Sequence, residues 1–416
     1  MNTNSIKVHI VGGGVSGLIA ANVLEKHGLN PVILEASDRV GGRLKTDIVN
    51  GYQLDQGFQV LLSNYKAAQQ YLDFNKLNLQ KLKSGAYILV NGKQIKFGDP
   101  LRDPDLLLPT LFANIGTLRD KLKIAILNLK IQNKSLENIF ESPELTTLQY
   151  LRKFGFSDKI IHNFFQPFFS GIFLETELKT SSRMFEFIFK MFGEGLALIP
   201  KNGIEEIAKQ LKSQLIKTTF KFNNGVIKVS NKEIKLENGK ILNSNYTIIA
   251  TEPNLLIENL KSQKINWKSC QNLYFTTNEC IFKKPFIGLI PNKKSLINNI
   301  FYPSSIESKY KGEKELLSVS IIKEHNYSEN KLIDIVKTEL QEICNIKNVL
   351  FLNLYNIRKA LPQLNNLLYE LEPSETKLKD GVFLAGDLLL NGSLNAAMIA
   401  GERAALGIIE EIKKLN

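Results

Sequence analysis

The sequence predicts an α/β fold in which a Rossmann-type dinucleotide-binding domain is joined to a second domain. Two observations predict the first domain. An apolar strand runs into a glycine-rich turn and a helix over residues 7–24, and a second apolar strand ends on an acidic residue, Glu35. The third observation is the length of 416 residues, which is too great for one hydrophobic core and predicts two domains.

The glycine-rich turn has the spacing of a pyrophosphate site. Gly12 permits a tight turn, Gly14 lets the backbone approach the phosphates, and Gly17 lets the helix pack on the strand. The free N–H groups of the first helical turn, which includes Ser16, then face an anion. Glu35 follows Gly12 by 23 residues, close to the spacing at which a carboxylate binds an adenosine ribose. An ordinary βαβ unit with a glycine turn is the alternative.

Composition and charge exclude some classes of protein. Apolar residues make up 44% of the chain and charged residues 23%, as in ordinary globular proteins. The net charge of +12 is expected to reflect a solvated, lysine-rich surface, with attraction to an anionic membrane or an acidic substrate as the alternative. No dense basic block or basic–aromatic stripe occurs, so nucleic-acid binding is not predicted.

Cysteine usage and the N-terminal pattern indicate the cellular compartment of the protein. Cys270, Cys280 and Cys344 are scattered, and no metal-binding spacing occurs, so neither a metal site nor a disulfide framework is predicted. A reducing, cytoplasmic compartment is therefore expected. The apolar N-terminal run contains the glycine turn, so it is interpreted as nucleotide-binding structure and not as a signal peptide. No uncharged apolar stretch reaches about 18 residues, so no membrane-spanning helix is predicted.

An arginine–glycine loop follows the second strand. Arg39 and Arg43 flank a glycine pair that ends at Gly42, and two guanidinium groups suit a second approach to the pyrophosphate. With this loop, residues 8–43 resemble the opening of the flavin amine oxidase superfamily, which includes amine oxidases, protoporphyrinogen oxidases and phytoene-type desaturases. The resemblance implies non-covalently bound FAD. It also implies a discontinuous FAD-binding domain with an inserted α+β substrate domain.

The family blocks divide the chain into five alternating segments. The FAD-binding domain is expected at residues 1–76, 193–255 and 351–416, and the substrate domain at 77–192 and 256–350.

Another segment resembles the D-x-G strand of the family, whose end approaches the flavin ring. Asp55, Gly57, Phe58 and Gln59 stand at the matching positions. An edge strand with a bulge at Gly57 is the alternative.

The last family block lies near the C terminus. A predicted strand ends at Gly386 and Asp387, and the Asp387 carboxylate suits a hydrogen bond to the ribityl chain. The helix that follows contains Ala397, and its first N–H groups are placed to stabilise negative charge on the reduced flavin. In the middle of the chain, strand order alone assigns to Val226 the backbone contact that family members make with the adenine.

Two segments of the substrate domain have alternative interpretations. One helical face at 106–130 carries Leu111, Ile115, Leu118, Leu122, Ile126 and Leu129. The other faces of that helix carry Arg119, Lys121, Lys123 and Lys130. This helix is expected to face the core of the second domain, and a surface helix that dips into a bilayer is the alternative. The phenylalanine-rich stretch at 160–174 forms either plain core or the wall of a pocket. A core role is expected for His162.

One departure from the amine oxidases bears on the reaction. They carry an aromatic residue at the start of the last helix, as part of a cage that orients the amine, whereas Ser393 stands at the matching position. The resemblance therefore implies dehydrogenation of a large apolar isoprenoid or tetrapyrrole-like molecule, with hydride passing from substrate carbon to flavin N5. Such a substrate would be drawn from a membrane, which would make the protein peripheral to it.

Two other functions remain as alternatives. One is a flavin amine oxidase that has lost the aromatic cage, and the other is a flavin-holding protein without turnover. The sequence identifies no catalytic residue. It also leaves oxygen, a quinone or another carrier open as the electron acceptor.

Overall fold

Two large β-sheets, each built from separated segments of the chain, organise the fold. The structure is a computed structural model and describes residues 6–414. Its strands, in chain order, are β1 (Val8–Val11), β2 (Val32–Leu34), β3 (Thr46–Val49), β4 (Tyr52–Asp55), β5 (Leu61–Leu62), β6 (Leu79–Lys81), β7 (Gly85–Val90), β8 (Lys93–Gly98), β9 (Ala197–Pro200), β10 (Thr219–Lys221), β11 (Val226–Val229), β12 (Glu233–Leu236), β13 (Ile241–Asn243), β14 (Tyr246–Ile249), β15 (Trp267–Thr277), β16 (Ile287–Leu289), β17 (Ile297–Phe301), β18 (Glu315–Ile321), β19 (Leu350–Pro362), β20 (Lys377–Lys379) and β21 (Val382–Leu384).

Helices cover the first sheet and form most of the segment between β8 and β9. In chain order they are α1 (Val15–Lys26), α2 (Lys66–Tyr71), α3 (Leu107–Phe112), α4 (Leu118–Gln132), α5 (Leu136–Glu141), α6 (Thr147–Phe154), α7 (Asp158–Ile160), α8 (Gln166–Phe173), α9 (Ser182–Glu194), α10 (Glu206–Ser213), α11 (Pro253–Leu256), α12 (Glu329–Cys344) and α13 (Leu394–Lys414). A π-helical turn, Ile161–Phe165, joins α7 to α8. No helix in the described part of the chain is long and apolar enough to cross a membrane.

The first sheet has the strand order β10-β2-β1-β14-β21-β20. All neighbours in it are parallel except β20 and β21. Every residue of β1 and β14 is buried, as expected for parallel strands that are covered by helices on both faces. The strands come from the beginning, middle and end of the chain. The predicted α/β class is therefore confirmed, and the first domain is discontinuous.

The second sheet has the order β19-β15-β18-β17-β16-β7-β8, and its neighbours are antiparallel except for β16 and β7. Helix α12 packs Leu332, Val336 and Leu340 into the apolar cluster of this sheet. The predicted return to the FAD-binding domain at residue 351 is too early. Residues 351–362 lie in β19, which pairs with β15 of the second sheet.

The segment predicted as one helix over 106–130 differs from expectation. It forms α3 and α4, because Thr117 and Asp120 make a capping box that starts α4 anew. Ile115, between the helices, is buried, but four apolar side chains of α4 are 48% to 67% exposed: Leu118, Leu122, Ile126 and Leu129. The expectation that this face packs on the core is wrong, since α4 instead turns Asp120, Leu127 and Ile131 inward.

The segment that resembles the D-x-G strand, residues 51–62, is interrupted. It forms β4 and β5, and the intervening residues make a loop around Gly57, which has a φ of +97°. An Asn-Gly pair between two strand-like runs predicts a hairpin turn at Asn91 and Gly92, and β7 and β8 confirm it. The sequence likewise predicts a capped helix start at Thr146, and α6 confirms it, because the Thr146 side chain accepts a hydrogen bond from the backbone N–H of Gln149.

Candidate FAD and substrate site

The glycine turn after β1 and the arginine–glycine loop lie side by side. The Gly41 N–H donates to the Gly13 carbonyl oxygen at 2.9 Å, and Gly14 and Gly41 form an isolated bridge. A Cβ atom on Gly42 would lie 3.3 Å from the Gly14 Cα. The two backbones therefore approach so closely that side chains would crowd them.

The start of α1 is left free for an anion. Gly14 caps the helix without a side-chain hydrogen bond, and the first turn contains no acidic residue. A Cβ on Gly17 would lie 2.1 Å from the Gly12 carbonyl oxygen, so glycine is needed there for the turn to fold against the helix. Ser16 is buried in the same turn. The unpaired N–H groups of a helix start bind phosphate groups, so these residues fit the pyrophosphate of FAD.

The Glu35 carboxylate is held at the edge of this turn. Its oxygens accept hydrogen bonds from the Gly13 N–H at 2.6 Å, the Ser37 N–H at 2.8 Å and the Ser37 hydroxyl at 2.8 Å. A carboxylate accepts about four hydrogen bonds, so acceptor capacity remains for a ribose hydroxyl. The Asn224 N–H donates to the Glu35 carbonyl oxygen, which brings the chain just before Val226 beside Glu35. The adenine contact of Val226 stays a prediction.

The two arginines of the loop have different partners. Arg39 forms ion pairs with Asp47 at 2.5 Å and with Glu205 at 3.0 Å, so its guanidinium ties the loop to β3 and α10. Its contact with the pyrophosphate stays a prediction. Arg43 pairs with Asp387 at 2.5 Å and donates to the Ala360 carbonyl oxygen at 3.1 Å. Two predicted site residues that are 344 positions apart are therefore in direct contact.

The loop around Gly57 is fixed against Arg43. The Gln59 amide donates to the carbonyl oxygens of Arg43 at 3.1 Å and Gln56 at 3.0 Å. The Phe58 ring packs on Phe301 of the second sheet, with ring centroids 5.1 Å apart. Gly57, Phe58 and Gln59 thus lie where the two sheets meet.

Asp55, just before this loop, is an unusual acid. Its Oδ1 accepts hydrogen bonds from the Thr46 hydroxyl at 2.6 Å and the Ile204 N–H at 3.0 Å. Desolvation raises its pKa to about 6 against these hydrogen bonds, and the nearby carboxylates of Glu205 and Asp47 add to the rise.

The last family block forms the predicted strand and helix, β21 and α13. Gly386 has a φ of +137°, and the following Asp387 is buried. The Ser393 hydroxyl donates to the Asn391 side chain at 2.7 Å and accepts from the Ala396 N–H at 3.0 Å, so it caps α13. The buried Ala397 lies one turn into that helix. Ser393 therefore has a structural role at the position where amine oxidases carry an aromatic residue.

A cavity of about 1490 Å³ extends from these residues into the second domain. Arg43, Gly57, Gln59 and Ser393 line one part of it. The phenylalanine-rich stretch contributes to both the core and the cavity wall. Phe165, Phe169 and Phe173 are buried in the core, and the rings that line the cavity are Phe164, Phe168, Phe169 and Phe173. His162 is not among the lining residues.

Two residues that line the cavity, Trp267 and Lys268, belong to no recognised sequence motif. The Arg43 guanidinium lies over the Trp267 ring, 5.6 Å from its centroid, and the Trp267 N–H donates to Glu252 at 3.0 Å. The Lys268 ammonium donates to the Phe173 carbonyl oxygen at 2.9 Å and the Thr180 hydroxyl at 3.1 Å. Burial lowers the pKa of Lys268. Both residues begin β15, and a tryptophan followed by lysine at a strand start is too common a pattern to predict a site.

No carboxylate within residues 6–414 lies in ion-pair distance of Lys268. The Glu175 carboxylate, which also lines the cavity, acts on Lys268 from beyond ion-pair distance and only partly offsets the cost of burial. This partly desolvated ammonium is therefore suited to a negatively charged ligand group.

The fold thus places a cradle that fits a dinucleotide beside a large, mainly apolar cavity. Sequence comparison then gives the family: the chain belongs to the flavin-containing amine oxidoreductases, which it matches over residues 15–409. FAD, held non-covalently, is its cofactor, and the protein is an FAD-dependent oxidoreductase.

Two curated relatives are named as porphyrinogen oxidases. The chain is 24% identical over 323 residues to coproporphyrinogen III oxidase of Bacillus subtilis, a match that covers 67% of this chain and 66% of the relative. It is 26% identical to mitochondrial protoporphyrinogen oxidase of Nicotiana tabacum, over 41% of this chain and 33% of the relative. The chain therefore spans only part of the length of these curated relatives.

A solved structure of putrescine oxidase with bound putrescine has the same fold. It superposes with a TM-score of 0.70 over 97% of this chain and 99% of the other, at 15% identity. Because relatives named for porphyrinogens and for an amine share the fold, the fold alone does not identify the substrate.

Proposed function

We propose that this protein dehydrogenates a large, mainly apolar molecule of the isoprenoid or tetrapyrrole type. The substrate loses a hydride from carbon and releases a proton to water, and the remaining electron pair forms a new double bond, conjugated in the case of a tetrapyrrole. Bound FAD supplies the hydride acceptor at its N5 atom. The chain supplies position, polarity and the exclusion of water.

The cavity is the observation that carries this proposal. Its volume of about 1490 Å³ exceeds the roughly 300–1,000 Å³ that is usual for sites of drug-sized ligands, but it includes the part beside Arg43, Gly57 and Gln59 where the flavin would lie. Beyond that part the walls are mainly apolar, with phenylalanine rings along α8 and α9. These walls suit a long or macrocyclic apolar molecule, which would bury its surface there, better than a small amine.

Residues on the border of the cavity hold in place the loop beside which substrate and cofactor would bind. The hydrogen bonds of Gln59 and the pairing of Arg43 with Asp387 fix the loop that borders the cavity. The Trp267 ring, beneath the Arg43 guanidinium, forms a flat apolar surface on that border. The N–H groups at the start of α13 are oriented to stabilise negative charge that develops on a ligand.

The relatives named for porphyrinogens support the tetrapyrrole branch of the proposal. Lys268 supports it as well, because a carboxylate group of a tetrapyrrole could pair directly with this ammonium, which Glu175 offsets only from beyond ion-pair distance. Amine oxidation is the second candidate, since the fold is shared with putrescine oxidase. The cap formed by Ser393 stands against it, because this position cannot contribute an aromatic cage.

We further propose that the protein works at the surface of a membrane as a peripheral protein, since an apolar substrate of this size dissolves in lipid and not in water.

Anaerobic absorption spectroscopy of the purified holoprotein tests the proposal. A porphyrinogen, a carotenoid precursor in liposomes and a set of amines are added separately. We expect loss of the oxidised flavin band with one of the first two. Bleaching by amines alone would replace this function with amine oxidation, and no bleaching by any of the three would overturn it.

A further inference from the structure

The helices α3 and α4 expose an apolar surface that a protein in water would ordinarily bury. This surface, here called the entrance patch, consists of Leu101, Leu107, Leu108, Leu111, Phe112, Leu118, Leu122, Ile126 and Leu129. Their exposed fractions run from 46% at Leu111 to 81% at Leu101. Single exposed leucines are normal, but a continuous apolar patch marks an interaction site.

The orientation of α4 is fixed by its inner face. Asp120 caps the helix and also accepts hydrogen bonds from the Ser157 N–H at 2.9 Å and the Ser157 hydroxyl at 2.7 Å. Leu127 and Ile131 are buried on the same side. The outward direction of Leu118 and Leu122 therefore follows from specific contacts on the opposite side of the helix.

Positive charge surrounds the patch. Helix α4 contains four cations, Arg119, Lys121, Lys123 and Lys130, and its one acidic residue, Asp120, is buried. None of the four lies within ion-pair distance of a carboxylate in the described part of the chain. Lys121 and Lys123 are half-buried and donate to backbone carbonyl oxygens, whereas Arg119 and Lys130 are exposed. Lysine and arginine beside an apolar helix face are typical of helices that lie in the interface of an anionic membrane.

The patch is continuous with the cavity. Leu101, Leu107 and Leu111 belong to both, and Lys121 and Ile124 line the cavity beside them. With 15 residues, α4 is about 22 Å long, which gives an extended strip for contact with a flat surface.

We infer that the entrance patch docks on the anionic surface of a lipid bilayer, so that the mouth of the cavity opens into the lipid. The apolar side chains insert among the acyl chains, and the exposed cations Arg119 and Lys130 contact the acidic headgroups. Only the identity of the substrate that enters through the mouth of the cavity rests on the proposed function, because docking itself requires no turnover.

Vesicle co-sedimentation of the holoprotein tests this inference. We expect binding to vesicles that contain phosphatidylglycerol and much weaker binding to pure phosphatidylcholine. The triple variant Leu118→Ser, Leu122→Ser, Leu129→Ser is expected to lose binding by roughly a hundredfold or more, since three apolar insertions are removed. The matched control Ile216→Ser, Ile241→Ser, Leu350→Ser removes exposed apolar side chains elsewhere and is expected to bind like the wild type.

A charge variant separates the two parts of the surface. Arg119→Gln with Lys130→Gln should weaken binding to the anionic vesicles roughly 30-fold, at about a fivefold loss per cation, and leave the weak binding to phosphatidylcholine unchanged.

Three results would overturn the inference. One is wild-type protein that stays in the supernatant with every vesicle. Another is equal loss of binding in the patch variant and the control. The third is a dimer, seen by sedimentation velocity, that the patch variant converts to monomers, since the patch would then join two copies of the chain. Bleaching of the flavin by detergent-solubilised substrate is measured separately, so a failure of the proposed function is distinguished from a failure of docking.

Discussion

At the scale of single residues, we expect cofactor retention to depend on Glu35. Three donors from Gly13 and Ser37 already fix its carboxylate, so little entropy is lost when a ribose binds. We expect Glu35→Ala to raise the Kd for FAD about 10- to 100-fold, since hydrogen bonds to charged groups contribute about 1.5–3 kcal/mol. Flavin fluorescence titration of the apoprotein measures this. Glu307→Ala, on the surface, is the control, and an unchanged Kd in Glu35→Ala would exclude the ribose contact.

Lys268 separates the two branches of the proposed function. We expect Lys268→Met to raise KM for a carboxylate-bearing tetrapyrrole roughly 10- to 100-fold, because one charge-assisted hydrogen bond is lost. KM for a neutral isoprenoid should not change. Lys268→Arg keeps the charge and should retain most of the affinity. Equal KM values for the tetrapyrrole in the wild type and Lys268→Met would remove this residue from substrate recognition.

Asp55 makes the stability of the protein depend on pH. Its folded pKa of about 6 lies above the ordinary value of 3.8, so the folded state favours the protonated acid. The stabilisation is complete below about pH 4 and is lost as the pH rises through 6, with a cost of at most about 3 kcal/mol. We expect Asp55→Asn, which keeps an acceptor for Thr46 and Ile204, to gain thermal stability over the wild type between pH 4.5 and pH 7. A melting-temperature difference that does not change with pH would contradict this.

At the scale of elements, the packing of α13 on α1 sets the geometry of the cofactor cradle. A Cβ on Gly401 would lie 2.3 Å from the Ser16 carbonyl oxygen, so the two helices touch through bare backbone. We expect Gly401→Ala to lower stability by about 1–3 kcal/mol and to weaken FAD binding, because it forces the helices apart. Glu402→Ala, on the same helix, is the control. Chemical denaturation and flavin content together give the result, and unchanged values of both would disprove the close contact.

The sequence predicted the elements whose residues carry local signals. The glycine turn, the Asn91–Gly92 hairpin and the Thr146 cap each depend on a backbone requirement that only a few residue types meet, and each lies where it was predicted. The direction of α4 could not be predicted, because periodicity shows that apolar residues share a face but not which way the face points. The contact that orients the inner face of α4 is made by Asp120, which accepts a hydrogen bond from the Ser157 N–H. The pattern of apolar residues assigned no role to this polar residue.

The site was predicted only in part for a similar reason. Motifs predicted residues for a nucleotide site, and the structure brings two of them, Arg43 and Asp387, into contact, while their contacts with FAD stay predictions. Lys268 and Trp267 were missed because their importance comes from contacts with residues far away in sequence, such as Phe173 for Lys268 and Arg43 for Trp267. No pattern in a single sequence reports such contacts.

At the scale of the whole molecule, FAD links parts of the chain that are far apart in sequence. Its predicted contacts come from the beginning, the middle and the end of the first domain. We expect the apoprotein to melt at a lower temperature than the holoprotein, with a midpoint that rises with FAD concentration. At 100 times the Kd the stabilisation is about 2.7 kcal/mol. Differential scanning fluorimetry with added FAD measures this, riboflavin serves as the control, and a midpoint independent of FAD would rule out the link.

The strand order of the first sheet has a consequence for biosynthesis. While the protein is being translated, β1 leaves the ribosome long before β14, and β21 follows more than 130 residues later. The nascent domain must therefore wait with an unpaired central strand edge, which is exposed to aggregation and slow to find its neighbour. Holdase chaperones that shield this edge until residues near Asp387 emerge should increase the yield of flavin-loaded protein in a cell-free translation reaction.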